Sequence, residues 1–189
     1  MAAPLPLDIL KAIDWTRSVI GGSYALCAFM GADWQPHDVD VMCQVASHAD
    51  FDALVAQFRE RALPLSSEVV KHVRMDDATR AAAARDTTSG LDERFHESIL
   101  GTVTLRFDGL PVPVQLVGMC VRPPMTLLEH LNETTDLPAC VAYTQWPGGP
   151  RIFHVPERGL EALRTRTVHR ADSCAARMDK YKKRGFTFI

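Results

Sequence analysis

Ile20-Gly21-Gly22-Ser23 and, after fourteen intervening residues, Asp38-Val39-Asp40-Val41 form the stretch of this chain whose reading decides the fold. The first piece ends a short apolar run at 18–20. Beyond it Tyr24, Ala25, Leu26, Ala28, Phe29 and Met30 read as a buried helix that stops at Gly31. The pattern is therefore strand, glycine turn, helix. Residues 32–37 read as a loop, because Pro36 removes a donor and restricts its neighbour. The second piece alternates polar and apolar side chains, which puts Asp38 and Asp40 on one face of a strand.

Working outward, a short helix is expected over 8–15. Phe51, Leu54, Val55 and Phe58 recur at helical spacing in a helix of about 14 residues closed by Pro64. Residues 68–74 read as a strand. Residues 76–90, polar and alanine-rich with no clear apolar face, read as a mobile excursion. Two β-rich segments, 99–107 and 110–117, meet at Asp108-Gly109, the dipeptide favoured by type I′ hairpin turns. A helix is expected over 126–131 and a short hairpin over 140–144 and 151–155. Residues 159–185 are helical in composition. These elements predict an α/β fold, a small mixed twisted sheet with packed helices, followed by a C-terminal helical tail.

Composition bounds the rest. With 189 residues, 47% hydrophobic and 23% charged, the chain has the balance of an ordinary globular domain, which excludes a repeat array or a wholly disordered chain. No apolar run approaches the roughly 18–20 residues of a membrane span, and the N-terminus lacks the pattern of a secretory signal. The five cysteines form an odd set with no CxxC pair. Free thiols, a cytoplasmic setting and no membrane partner are expected. Charge divides the chain in two. Residues 1–157, the expected α/β domain, hold 12 basic and 20 acidic side chains, whereas 158–189, the expected basic helical subdomain, hold 9 and 3. A basic tail on an acidic body suits intramolecular docking, a polyanionic partner, or both.

The decisive stretch also suggests chemistry. Two carboxylates on one strand face are the minimum that holds Mg2+ (or Mn2+), a hard cation that takes oxygen ligands. A Gly-Gly-Ser turn opening a helix complements them: the glycines let a phosphate approach the backbone, while the helix amides and the Ser23 hydroxyl donate to it. No Gly-x-Ser-x-Gly elbow, Walker loop or His-Glu-x-x-His helix is present, which removes serine hydrolases, P-loop NTPases and zincins from the leading readings.

In this order and spacing, the two pieces resemble the signature of the nucleotidyltransferase superfamily that includes DNA polymerase beta. The resemblance implies that Gly21, Gly22 and Ser23 contact a nucleoside triphosphate and that Asp38 and Asp40 bind metal and carry catalysis. It also implies a third acid on a later strand, where this chain has Gln115 in Val112-Pro-Val-Gln115-Leu-Val. A glutamine ligates metal weakly and cannot act as a base. Viral and ankyrin-linked members are similar at Gln115-Leu-Val, at Thr135-Asp136 and at Arg177-x-x-Lys180-Tyr181-x-x-Arg184-Gly-Phe186. The resemblance thus runs from about Ile20 to Phe188 and adds Gln115, Arg177, Lys180 and Arg184 as nucleotide-binding candidates.

The function implied is magnesium-dependent transfer of a nucleoside monophosphate from an NTP to a hydroxyl acceptor, with RNA or protein as possible acceptor at the basic tail. The alternative is a catalytically degenerate protein of the same fold that binds nucleotide, RNA or a partner protein. Arg177, Lys180, Tyr181 and Arg184 share one helical face, either as a phosphate clamp or as the surface that docks the tail. Asp136 is a candidate replacement for the missing acid, and His37 a candidate to steady Asp38.

Overall fold

The two pieces of the decisive stretch lie side by side at the centre of a seven-stranded sheet in the computed structural model, which describes residues 4–62, 67–85, 93–146, 148–170 and 175–189. In chain order the elements are α1 (Leu7–Ala12), β1 (Ser18–Gly21), α2 (Gly22–Met30), β2 (Val39–Gln44), α3 (His48–Arg61) and β3 (Ser67–Arg74). Next come α4 (Asp77–Arg85), α5 (Glu93–Ser98), β4 (Ile99–Phe107), β5 (Val114–Met119), α6 (Leu127–Thr134) and a 3-10 turn (Leu137–Ala139). The chain finishes with β6 (Ala142–Gln145), β7 (Arg151–His154), α7 (Glu157–Thr165), β8 (Thr167–Val168), α8 (Ala175–Lys183) and β9 (Thr187–Phe188). The large sheet runs β3-β4-β5-β2-β1-β6-β7. Its β2 and β5 are parallel and the other neighbouring pairs antiparallel, the mixed α/β sheet that the sequence predicts.

Strand alternation gives the sheet two faces. One carries Ile20, Val41, Val103, Leu105 and Leu116 against Ile9 of α1 and Phe51, Leu54 and Phe58 of α3. Phe51 reaches this face through a notch between two paired glycines. A Cβ at Gly118 would lie 2.6 Å from the ring and one at Gly101 3.3 Å from it. The opposite face carries Val19, Met42, Val117 and Met119 under Leu127 and Leu131 of α6. Helix α6 begins on a capping box: Thr126 accepts from the Glu129 amide, and the Glu129 carboxylate accepts from the Thr126 amide.

Three local expectations are corrected. Within the stretch read as an excursion, 77–85 is helix. The Asp76 side chain accepts from the Thr79 amide at 2.7 Å and so caps an alanine-rich run, a local signal that outweighs the absent apolar stripe; residues 86–90 lie outside the described residues. At Asp108-Gly109, φ is positive at Gly109 alone, so the turn is not type I′, and β5 begins at Val114 because Pro111 and Pro113 bring no N–H to a ladder. The tail is not purely helical either: β8 and β9 pair in parallel, Thr167 with Thr187 and Val168 with Phe188.

Ala162, Leu163, Val168, Tyr181 and Phe186 of the tail form one buried cluster with Ala25 and Leu26 of α2 and with Leu137, Cys140 and Val141. Cys27, Cys43, Cys120 and Cys140 are free thiols, and burial pushes Cys43 up to about 12; Cys174 lies outside the described residues. Among those residues no helix is long and apolar enough to cross a membrane.

Candidate functional site

The ladder between β1 and β2 sets Gly21 opposite Asp40, so the glycine turn and the second acid are direct neighbours. The chain then enters α2 through Gly22 at φ +63°, a conformation that glycine adopts without strain. A Cβ there would collide with Asp40 Oδ2. Gly22 is thus required twice, once for its backbone and once because the Asp40 carboxylate occupies the space of its side chain. Ser23 follows, buried in the first turn of α2.

Asp38 immediately precedes β2, whose ladder to β5 opens with the Val39 amide donating to the Pro113 carbonyl at 2.9 Å. The alternation read from the sequence holds, and Asp38 and Asp40 interact electrostatically. Burial first, and then the nearby Asp38, push the Asp40 carboxyl up to about 7 against the opposing charges of Lys180 and Arg177. Among the described residues there is no cluster of three or more His, Cys, Asp or Glu side chains able to hold a metal, so the candidate metal centre is this pair alone.

Loop 31–37 fills the interval between helix and strand. The Cys27 thiol donates to the Trp34 carbonyl at 3.1 Å, and the Arg184 guanidinium stacks 4.3 Å from the centre of the Trp34 ring. Arg184 therefore ties the tail to the loop that leads into Asp38. Arg177 bonds Asp136 at 2.8 Å, and the Asp136 side chain is only 8% exposed. That pair gives Asp136 a structural role at the junction of body and tail. Tyr181 is buried between them, 1% exposed, and its phenol is pushed up to about 12 by desolvation. Lys180 is exposed, interacts with both Asp38 and Asp40, and is lowered first by desolvation and then by Arg184 and Arg177. Arg177, Tyr181 and Arg184 of the shared helical face thus dock the tail, Lys180 is the exposed cation beside the acids, and Arg177 and Arg184 also interact with Asp40 and Asp38 respectively.

Gln115 is the register partner of Asp40 on β5 and donates through Nε2 to Thr104 Oγ1 at 3.3 Å. His37 is exposed. Sequence reasoning missed Thr104 and Trp34. Trp34 is a lone aromatic in a loop, and Thr104 matters only through a strand register that no local pattern reveals.

No protein-family model matches the sequence, and no curated protein matches it significantly. Solved structures do. A CCA-adding enzyme in complex with CTP aligns with a TM-score of 0.55 at 14% identity, over 97% of this chain and 38% of that one. The fold is of the nucleotidyltransferase type. A CCA-adding enzyme with ATP gives 0.49 at 15% identity, over 85% and 32% of the two chains. A tRNA nucleotidyltransferase complexed with a primer tRNA and an incoming ATP analog gives 0.48 at 14%, over 80% and 34%. The chain spans about a third of the length of these structures.

Proposed function

We propose that this chain is a divalent-cation-dependent nucleotidyltransferase of the viral and ankyrin-linked type, moving a nucleoside monophosphate from an NTP to an oxygen of an acceptor. The observation that carries this reading is the seating of the Asp40 carboxylate in the space left by the missing Gly22 side chain, at the start of α2, with Asp38 two residues before it. A phosphate and a cation are both served by that arrangement. The α2 N-terminus offers amides and a positive dipole end, and the acids offer hard oxygen ligands.

Two crowded carboxylates, one pushed up by burial and by the other, fit a Mg2+ or Mn2+ ion, which removes the repulsion between them. Asp38 and Asp40 would hold it, and when bound it supplies charge neutralisation at the triphosphate. Gly21, Gly22 and Ser23 orient the phosphates through backbone amides and the serine hydroxyl. Lys180 adds a cation on the tail side, and Arg177 and Arg184 hold the helix that presents it. The acceptor oxygen attacks the α-phosphorus and pyrophosphate leaves, with charge stabilisation and positioning supplying the catalysis. RNA or protein at the basic tail remains the acceptor reading.

Gln115 favours a second reading, a degenerate member that binds nucleotide without transferring it. A thermal-shift screen with each NTP, with and without Mg2+ or Mn2+, tests the shared part. Ligand at about 100 times its Kd adds about 2.7 kcal/mol, or about 5–10 °C at this chain length. The shift should depend on the cation and vanish in Asp38→Asn/Asp40→Asn. A shift that survives the double substitution, or none with any nucleotide, overturns the site. Release of pyrophosphate then separates the enzyme from the degenerate binder.

A further inference from the structure

Two acids and a neutral carboxamide stand together at the candidate metal centre. The β2–β5 register sets Gln115 beside Asp40 on parallel strands about 4.8 Å apart, and the β4–β5 register sets Thr104 on the far side of Gln115. Gln115 donates through Nε2 to Thr104 Oγ1 at 3.3 Å, so its amide nitrogen is engaged on the side away from Asp40. Its carbonyl oxygen can serve a cation, but only as an uncharged ligand. Among the described residues no third acid, cysteine or histidine joins Asp38 and Asp40, so one divalent cation neutralises the centre.

The other charges acting on the pair are positive. Lys180 interacts with both acids, Arg177 with Asp40 and Arg184 with Asp38. The three share one face of α8. Both arginines are anchored: Arg177 lies 2.8 Å from the Asp136 carboxylate, which offsets its charge, and Arg184 sits 4.3 Å from the centre of the Trp34 ring. Lys180 stands between them and is exposed. Two divalent ions about 3.5–4 Å apart repel each other and need enough anionic ligands to hold them there. A second ion here would approach carboxylates already neutralised by the first, with a carboxamide on one side and the α8 cations on the other. The added charge of a bound triphosphate meets those same cations, which the docked tail holds in place before the nucleotide arrives.

Resting on the nucleotidyltransferase reading above, we infer that this chain holds a single divalent cation on Asp38 and Asp40, with Gln115 as a neutral neighbour, and that the Lys180 ammonium supplies at the triphosphate the charge that a second cation would otherwise bring.

The test counts Mn2+ bound to the full chain by equilibrium dialysis, with a non-hydrolysable analogue of each NTP at the same free concentration on both sides of the membrane. Wild type should bind one ion per chain. Lys180→Ala should weaken analogue binding at least tenfold, and Lys180→Arg, which keeps the charge, should recover most of that loss. Gln115→Asp/Lys180→Glu, which adds a carboxylate on each side of the pair, should bind two ions, its folding checked by its thermal transition. The wild-type count stands whether or not that variant folds. Two ions on the wild type overturn the inference and leave the nucleotidyltransferase reading standing. So does an analogue affinity that Lys180→Ala leaves unchanged, or a folded double variant that still binds one ion. A wild-type chain that binds neither Mn2+ nor any analogue overturns both.

Discussion

Replacing Asp40 with Asn should stabilise the metal-free protein, and only above a defined pH. Burial first, and then Asp38, push the Asp40 carboxyl from 3.8 up to about 7. For an acid whose pKa is raised by folding, the unfolded chain ionises first as pH rises, so native stability falls between about pH 4 and pH 7 and is level above. At about 1.4 kcal/mol per pH unit this interval corresponds to about 4 kcal/mol, a ceiling on what ionised Asp40 costs the native state. Asn keeps the shape and cannot ionise. Wild type and Asp40→Asn should therefore unfold at similar temperatures near pH 4 and separate through pH 7, with the variant higher by up to about 8–16 °C. The assay is thermal unfolding in EDTA across pH 4–8.5. Asp14 and Asp50, whose pKa values are lowered, destabilise both proteins alike as pH falls and cancel in the difference. Mg2+ should raise the wild-type transition above pH 7 and leave the variant nearly unmoved. A gap that is flat with pH, or a variant that is the less stable at pH 8, refutes the reasoning.

Two further predictions concern the tail. Breaking the Arg177–Asp136 pair from either side, by Asp136→Asn or Arg177→Met, should cost about 3 kcal/mol in urea unfolding, because each leaves a polar or charged partner enclosed, whereas Asp136→Leu/Arg177→Met should recover most of the loss. Fully additive losses would mean the pair does not act as a unit. Trp34→Ala and Arg184→Ala should each cost about 1 kcal/mol beyond their packing, and a double-mutant cycle should return a coupling of similar size. A coupling near zero would detach the tail from loop 31–37.

The central motif was legible because its signals are local. A glycine turn and a two-residue alternation fix backbone direction within a few residues, and β1, α2 and β2 lie within a residue or two of where those signals put them. The α3 helix matches in length, 14 residues, because its apolar spacing and its end are written in sequence. The misses are of two kinds. Residues 77–85 show that a capped, alanine-rich helix forms without an apolar stripe when propensity and a side-chain cap agree. The β8–β9 pair joins residues about twenty apart, and β-pairing at that distance leaves no periodic trace in two-residue strands.

The basic face of α8 shows the same limit at the site. Spacing alone puts Arg177, Lys180, Tyr181 and Arg184 on one side of a helix and gives clamp and docking equal standing. Partners break the tie, and each partner is remote: Asp136 lies 41 residues before Arg177, and Trp34 lies on the far side of the sheet sequence from Arg184. A guanidinium held by an enclosed carboxylate, or set over an indole, makes a contact that ammonium reproduces poorly, and arginine stands at both docking positions. Lys180, between them in sequence, carries a compact charge on a flexible stem, is exposed, and interacts with both Asp38 and Asp40. The residue types thus sort the face: the two planar cations fix the helix, and the mobile one is left to meet a ligand that the acids and the α2 N-terminus would share.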